Sequence, residues 1–280
     1  MEVYIWIVAG IVFLCIFPVL AELKGITSHL IVYFFLPSIL LTYHYMSSGE
    51  IGSGTFGIIK VFSVCFAVLL LAGIRYKNLI KSNLIRIIVY LTLFVNILEA
   101  VGFEIYDALA SGPERLYGGS LINATAGIIL LLSQAYPRFL SVDEKNNLHY
   151  DLGTPWILSY VLWNFTFVYG TNPPGEPTGQ YAAFALIHLI APILLMRGKV
   201  SLFMQYRSYT LAPAMTVFVL TTESPWFYKV PSWYSLNVAE FLGWLSLASA
   251  CYVLFKIWQN RRNEQRINIL DSIIKLILKV

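Results

Sequence analysis

Apolar runs long enough to cross a bilayer follow one another along almost the whole chain. They cover 4–21, 29–46, 56–75, 84–105, 118–138, 154–170, 180–197, 208–222 and 233–257. A helix rises about 1.5 Å per residue and a hydrocarbon core is about 30 Å thick, so about 20 apolar residues make one span. Only 12% of the residues are charged, whereas soluble domains carry about a quarter. A water-facing surface could not be built from so few. The first run has Glu2 as the only charge before it and no small-x-small site, so it reads as a retained span rather than a signal peptide. The expected fold is an all-α, polytopic transmembrane helical bundle of about nine spans.

Loop charges orient it. With the C-terminus in the cytoplasm, the inner loops receive Lys24, then Arg75, Lys77, Lys81 and Arg86, then Arg138 and Lys145, then Arg197, Lys199 and Arg207. Lys256 and the basic tail complete the inner set, leaving Lys60, Arg115 and Lys229 outside. That asymmetry is what the positive-inside rule expects of an odd-numbered, N-out, C-in chain. An even number of spans would put alternating loops on the wrong side. Two parts result: a transmembrane helical domain over 1–258 and a cytoplasmic tail over 259–280. In the tail Ile267, Leu270, Ile273, Ile274 and Ile277 repeat at helical spacing, an amphipathic pattern suited to the inner leaflet or to a helical partner.

Polar residues inside spans carry the functional information. An ionisable group at mid-bilayer costs roughly 2.5–3.5 kcal/mol on insertion scales. Glu99, His188 and Glu240 stand out, accompanied by Asn96, Asn123, Asn164 and Asn237. Counting helical rise from the span ends puts Asn123, Glu99, Glu240 and His188 about 7, 9, 10 and 12 Å below the outer surface, and Asn164 near the midplane. Lys60, Glu104 and Asp107 are expected at the outer mouth. The polar set converges on the outer half of the membrane. Each member also has a structural reading: the glutamates as neutral acids bonded to asparagines, His188 as a core histidine bonded to a carbonyl. Ala239, Gly243, Ser246 and Ala250 form a small-residue stripe whose expected role is packing.

Asn96-Ile-Leu-Glu99-Ala-Val-Gly102-Phe103 matches Asn237-Val-Ala-Glu240-Phe-Leu-Gly243-Trp244 as N-x-x-E-x-x-G-aromatic. A weaker echo links His29-Leu-Ile to His188-Leu-Ile. Helices five spans apart run in opposite directions, so these echoes fit an inverted repeat of spans 1–4 and 6–9.

The blocks Asn96-Ile-Leu-Glu99-Ala-Val and Leu152-Gly-Thr-Pro-Trp-Ile-Leu-Ser-Tyr-Val-Leu-Trp-Asn164-Phe-Thr-Phe-Val-Tyr169 resemble an uncharacterised family of bacterial multi-spanning membrane proteins. The resemblance covers most of the chain. It implies a bacterial inner (cytoplasmic) membrane, crossed many times, and no particular activity.

Several classes lose support. Basic residues punctuate the apolar runs rather than forming one face, so no nucleic-acid partner is expected. The four histidines show no H-x-x-x-H or H-E-x-x-H spacing, and no G-x-S-x-G nucleophile appears, so no catalytic residue, metal or cofactor is assigned. Cys15, Cys65 and Cys251 lie inside apolar runs, which argues against a disulfide framework. The best-supported expectation is a proton- or cation-coupled transporter of a small polar solute. Its substrate or ion site would be Glu99, Glu240, His188, Asn96, Asn237, Asn164 and Asn123. The expected partners are the lipid bilayer, the solute, the coupling cation or proton, and a further copy of the chain. An intramembrane enzyme or a ligand-binding sensor using the same polar pocket is the alternative.

Overall fold

A computed structural model of the chain describes residues 2–48, 54–111, 120–170, 182–220, 230 and 232–260. Among these residues it forms nine helices, each built on one of the nine apolar runs. They are α1 (Glu2–Ala21), α2 (Gly25–Leu30, Ile31–Phe35 and Leu36–Ser48 in one continuous rod), α3 (Gly54–Lys77), α4 (Asn83–Ser111) and α5 (Leu121–Ser133). α6 (Thr154–Gly170), α7 (Ala182–Leu195), α8 (Phe203–Leu220) and α9 (Leu236–Asn260) follow. Among the described residues four stretches are long and apolar enough to cross a membrane: Gly25–Ser47, Ile58–Lys77, Asn83–Ala110 and Leu236–Gln259. α4 exposes Leu84, Ile87, Leu91, Val95 and Leu98 in one stripe at intervals of three or four residues. Such a continuous apolar face belongs against lipid rather than water, which points to association with a membrane.

Proline leaves a local mark. Pro37 has no N–H, and its ring crowds the carbonyl four residues earlier. The preceding segment Ile31–Phe35 widens into a π-helical turn, which makes room without ending the rod.

The all-α expectation needs one correction. Between α5 and α6 the chain forms a small antiparallel hairpin, β1 (Leu140–Val142) with β2 (Leu148–Tyr150), in the register Leu140↔Tyr150 and Val142↔Leu148. Leu140, Leu148 and Tyr150 are buried, while Ser141 is exposed. The Asp143 carboxylate organises the turn by accepting the backbone N–H of Lys145 at 2.9 Å and of Asn147 at 2.7 Å. Asn146 takes the left-handed conformation at φ 60°, which asparagine tolerates better than most residues. The amphipathic tail expected over 259–280 lies, beyond Asn260, outside the described residues.

Two compact units can be distinguished. The first comprises 1–89, the hairpin and 186–229. In it α3 packs along α8, and α2 and α1 pack on these two. Its core is Ala21, Tyr33, Leu41, Val61, Val64, Cys65, Val68, Tyr209, Ala212 and Val219. The hairpin docks through the Leu148 N–H, which donates to Gln205 Oε1 at 2.6 Å, and through His149 Nδ1, 2.8 Å from Ser201 Oγ.

The second unit comprises 90–139, 151–185 and 230–280. Here α9 packs along α5 and α6, which also pack on each other. The packing face of α9 is the small-residue stripe, with Ala239, Gly243, Ser246 and Ala250 all buried. Small side chains let backbones approach where lipid supplies no hydrophobic drive. The approach permits polar links: Ser159 Oγ to Ser249 Oγ at 2.9 Å, and Thr166 Oγ1 to the Leu242 carbonyl at 3.4 Å. Along α6 an aromatic column runs from Trp156 through Tyr160 and Trp163 to Phe167. Trp156, Tyr160 and Trp163 are buried, which makes them core rather than lipid-facing bulk.

Candidate functional site

The site lies within the second unit, where α4, α5 and α6 bring their packing faces together. On α4 that face is Ile97, Ala100, Val101, Glu104, Asp107 and Ala108, all buried. The spacing of three and four residues makes it one stripe. Its first members are apolar, but Glu104 and Asp107 continue it as acids. On α5 the corresponding face is Asn123, Ala126, Gly127 and Leu130. On α6 it is Trp156, Tyr160 and Trp163.

Glu104 and Asn123 are both 0% exposed. Asn123 Nδ2 donates to Glu104 Oε1 at 2.5 Å and to the Trp163 carbonyl at 3.1 Å. One amide thus ties a carboxyl on α4 to the backbone of α6. Among the described residues its own Oδ1 has no donor, nor does Glu104 Oε2. The Trp163 indole N–H lies near the same carboxyl but outside hydrogen-bond geometry. Asp107 lies one turn further along α4, within electrostatic range of Glu104.

Glycine makes the arrangement possible. A Cβ on Gly127 would sit 2.4 Å from Val101 Cγ2 and 2.7 Å from Trp163 Nε1, closer than real Cβ atoms come. Only a bare α-carbon lets α4, α5 and the Trp163 ring converge. The chemistry that results is acceptor-rich. Two buried oxygens lack donors, and an unpartnered buried polar atom costs about 1–3 kcal/mol. What such a set lacks is a proton or a small cation.

The residues expected from the sequence are dispersed differently. Asn123 is at the centre, and Asn164, next to Trp163, is buried at 8% exposure. Asn96 and Glu99 are half-buried on the flank of α4, because the packing stripe runs through Ile97, Ala100 and Val101. Glu240 is half-buried and Asn237 exposed on α9, beside the small-residue stripe. The hydrogen bonds of Asn123 go to Glu104 and Trp163 rather than to Glu99 or Glu240. His188 belongs to α7, in the first unit, and its side chain lies outside the described residues. The two N-x-x-E-x-x-G strings also differ in setting: Gly102 faces open space, whereas Gly243 is buried.

Glu104 and Asp107 are the functional candidates that sequence reading misplaced. Ending the fourth run at residue 105 put them at the outer mouth, but α4 continues to Ser111 and carries both on its packing face. The signal was present: Ile97, Ala100, Val101, Glu104 and Ala108 keep the helical period unbroken. Among the described residues no three His, Cys, Asp or Glu side chains gather as a metal site would require.

No curated protein and no solved structure matches the chain. The model of one family does, over residues 1–275: Family of unknown function (DUF5692). The chain belongs to that family.

Proposed function

We propose that this member of the family is a nine-span membrane transporter with its N-terminus outside and its C-terminus in the cytoplasm. It moves a small polar solute coupled to a proton or another small cation, and Glu104 is the group that takes up the coupling charge. A bacterial inner membrane is its proposed location. The observation that carries this reading is the setting of Glu104: a fully buried carboxyl, inside a helix apolar enough to span, with one oxygen held by Asn123 and the other without a donor. An ionisable group is expensive there, so its retention favours use over structure.

Asn123 Nδ2 bonds Oε1 whether Glu104 is ionised or neutral, so the carboxyl keeps its place while its charge changes. Asp107, one turn along and within electrostatic range, couples the ionisation of the two acids. Glu99 and Glu240, half-buried in the same unit, are proposed as further polar groups along the solute path, with Asn96, Asn164 and Asn237. His188 is left out of the proposed group. The inverted repeat is not used in this mechanism, since Gly102 and Gly243 occupy unlike environments.

The test is proton movement in proteoliposomes loaded with pyranine, under imposed pH and sodium gradients, against a panel of amino acids, sugars and small organic acids. Wild-type protein should move protons or sodium only when a transported solute is present. Glu104→Gln keeps the shape, loses the charge, and should abolish coupling while the thermal midpoint holds. Identical fluxes in the wild type and in Glu104→Gln, under every gradient and solute, would end the transport reading.

A further inference from the structure

A second polar cluster lies in the first unit, around an arginine that makes no ion pair among the described residues. Arg75, in the last turn of α3, is only 6% exposed. Its Nε donates to the Asn146 carbonyl at 2.5 Å, and Nη1 donates to the Tyr209 hydroxyl at 2.9 Å. The guanidinium carbon lies 5.0 Å from the centroid of the Tyr76 ring and 5.3 Å from that of Tyr209. The hairpin turn and two aromatic faces therefore hold the group still. Among the described residues nothing accepts from its remaining N–H groups, and it makes no ion pair. Asp143 is committed to the hairpin turn and to His149. Glu22 and Asp143 share the electrostatic surroundings of Tyr206 with Arg75 and Arg197, but neither reaches Arg75.

Buried charges are normally paired, because desolvating a lone ion costs several kcal/mol. The C-terminal end of α3 offers only about half a negative charge through its aligned peptide dipoles. Among the described residues the full counter-charge is missing.

An independent observation comes from His29, which is 0% exposed and shares both tyrosine rings with Arg75, at centroid distances of 5.7 Å and 5.3 Å. Its Nδ1 lies 2.6 Å from the Gly25 carbonyl, which can only accept, so Nδ1 carries the proton. Nε2 is then a buried lone pair with no donor among the described residues. One wall of the cluster thus lacks an anion and another lacks an O–H.

We infer that Arg75 anchors a phosphate site, whose occupant is free inorganic phosphate or the phosphate of a lipid headgroup. A phosphate oxygen pair matches the planar guanidinium fork, and the two rings hold that fork in register. Free phosphate, which retains a hydroxyl, also supplies the donor His29 lacks; a lipid phosphodiester supplies it only through a hydroxyl of its headgroup. Basic pockets among helix ends recognise lipid headgroups by the same chemistry. The inference is independent of the transport reading, since it uses no residue of the Glu104 cluster.

The experiment uses the full chain in detergent. Inorganic phosphate should raise its thermal midpoint saturably, and sodium chloride at equal ionic strength should not. Arg75→Gln should abolish the response. Should that variant fail to fold, Arg75→Lys carries the test: it keeps the charge, loses the fork, and should raise the half-saturating phosphate concentration at least about tenfold. Native mass spectrometry with added phosphatidylglycerol separates the sources. A retained lipid adduct that Arg75→Lys loses and phosphate displaces assigns the headgroup; a phosphate response without an adduct assigns the free ion. Neither a phosphate response nor an adduct, or an undiminished response in Arg75→Lys, overturns the site.

Discussion

Asn123 Nδ2 lies 2.5 Å from Glu104 Oε1, and neither side chain is exposed. The bond joins the packing faces of α4 and α5, and the second N–H of the same amide reaches the Trp163 carbonyl on α6. Removing the amide leaves the buried Glu104 carboxyl without its donor, while the Trp163 carbonyl keeps its helical bond. Asn123→Ala should therefore destabilise the protein by about 1–3 kcal/mol, read from thermal unfolding in detergent. Adding Glu104→Leu should recover part of that loss, because an apolar pair leaves fewer polar atoms unpaired. A double variant no more stable than the sum of the singles would show that the two residues act separately.

Gly127→Ala should also destabilise, against the helix propensity of alanine. Alanine gains about 1 kcal/mol over glycine in a helix interior. The new methyl, however, would sit 2.7 Å from Trp163 Nε1. Val101 can turn a methyl aside, but the buried indole has nowhere to go. Overpacking of this kind costs about 1–3 kcal/mol, so the net effect should be a loss of up to about 2 kcal/mol. An unchanged or raised midpoint would mean that α5 relaxes freely away from α6.

The hairpin should weaken in acid. Burial pushes the Asp143 carboxyl up, but hydrogen bonds from the Asn147 side chain and backbone, from His149 and from the Lys145 N–H outweigh it and hold the group well below its ordinary 3.8. A depressed folded value means stability that is fully present above about pH 4 and lost as pH falls through the folded value. The carboxylate is more than a third exposed, so after solvent screening its contribution is only about 0.2–1 kcal/mol. Asp143→Asn should cost that amount near pH 7, with the gap to the wild type closing below about pH 4. Limited proteolysis within 140–150 across pH would read it directly.

Topology can be tested without any assumption about activity. Reporter fusions near residues 80, 142, 200 and 265 should report the cytoplasm, and those near 110, 175 and 228 the outside. The reasoning is the charge asymmetry of the loops alone. A cytoplasmic signal at 175 would contradict the nine-span order.

The existence of the helices was written in the sequence, because their cause is local. Each apolar run carries enough consecutive residues for a long rod, and a helix satisfies its own backbone hydrogen bonds wherever lipid surrounds it. The small-residue stripe of α9 was legible for the same reason: Ala239, Gly243, Ser246 and Ala250 announce a packing face by their spacing. The hairpin was hidden, since three-residue strands between basic loop residues carry almost no periodic signal. Which acid is buried was hidden too. Glu99 and Glu104 lie on the same helix, and hydropathy ranks Glu99 the deeper. Only the rotation of α4 against α5 and α6 decides that Glu104 meets Asn123 while Glu99 stays on the flank. That rotation is set by contacts such as Val101 and Trp163 against Gly127, between residues far apart in the chain. Depth along a helix follows from counting residues; the direction a side chain faces follows from its neighbours.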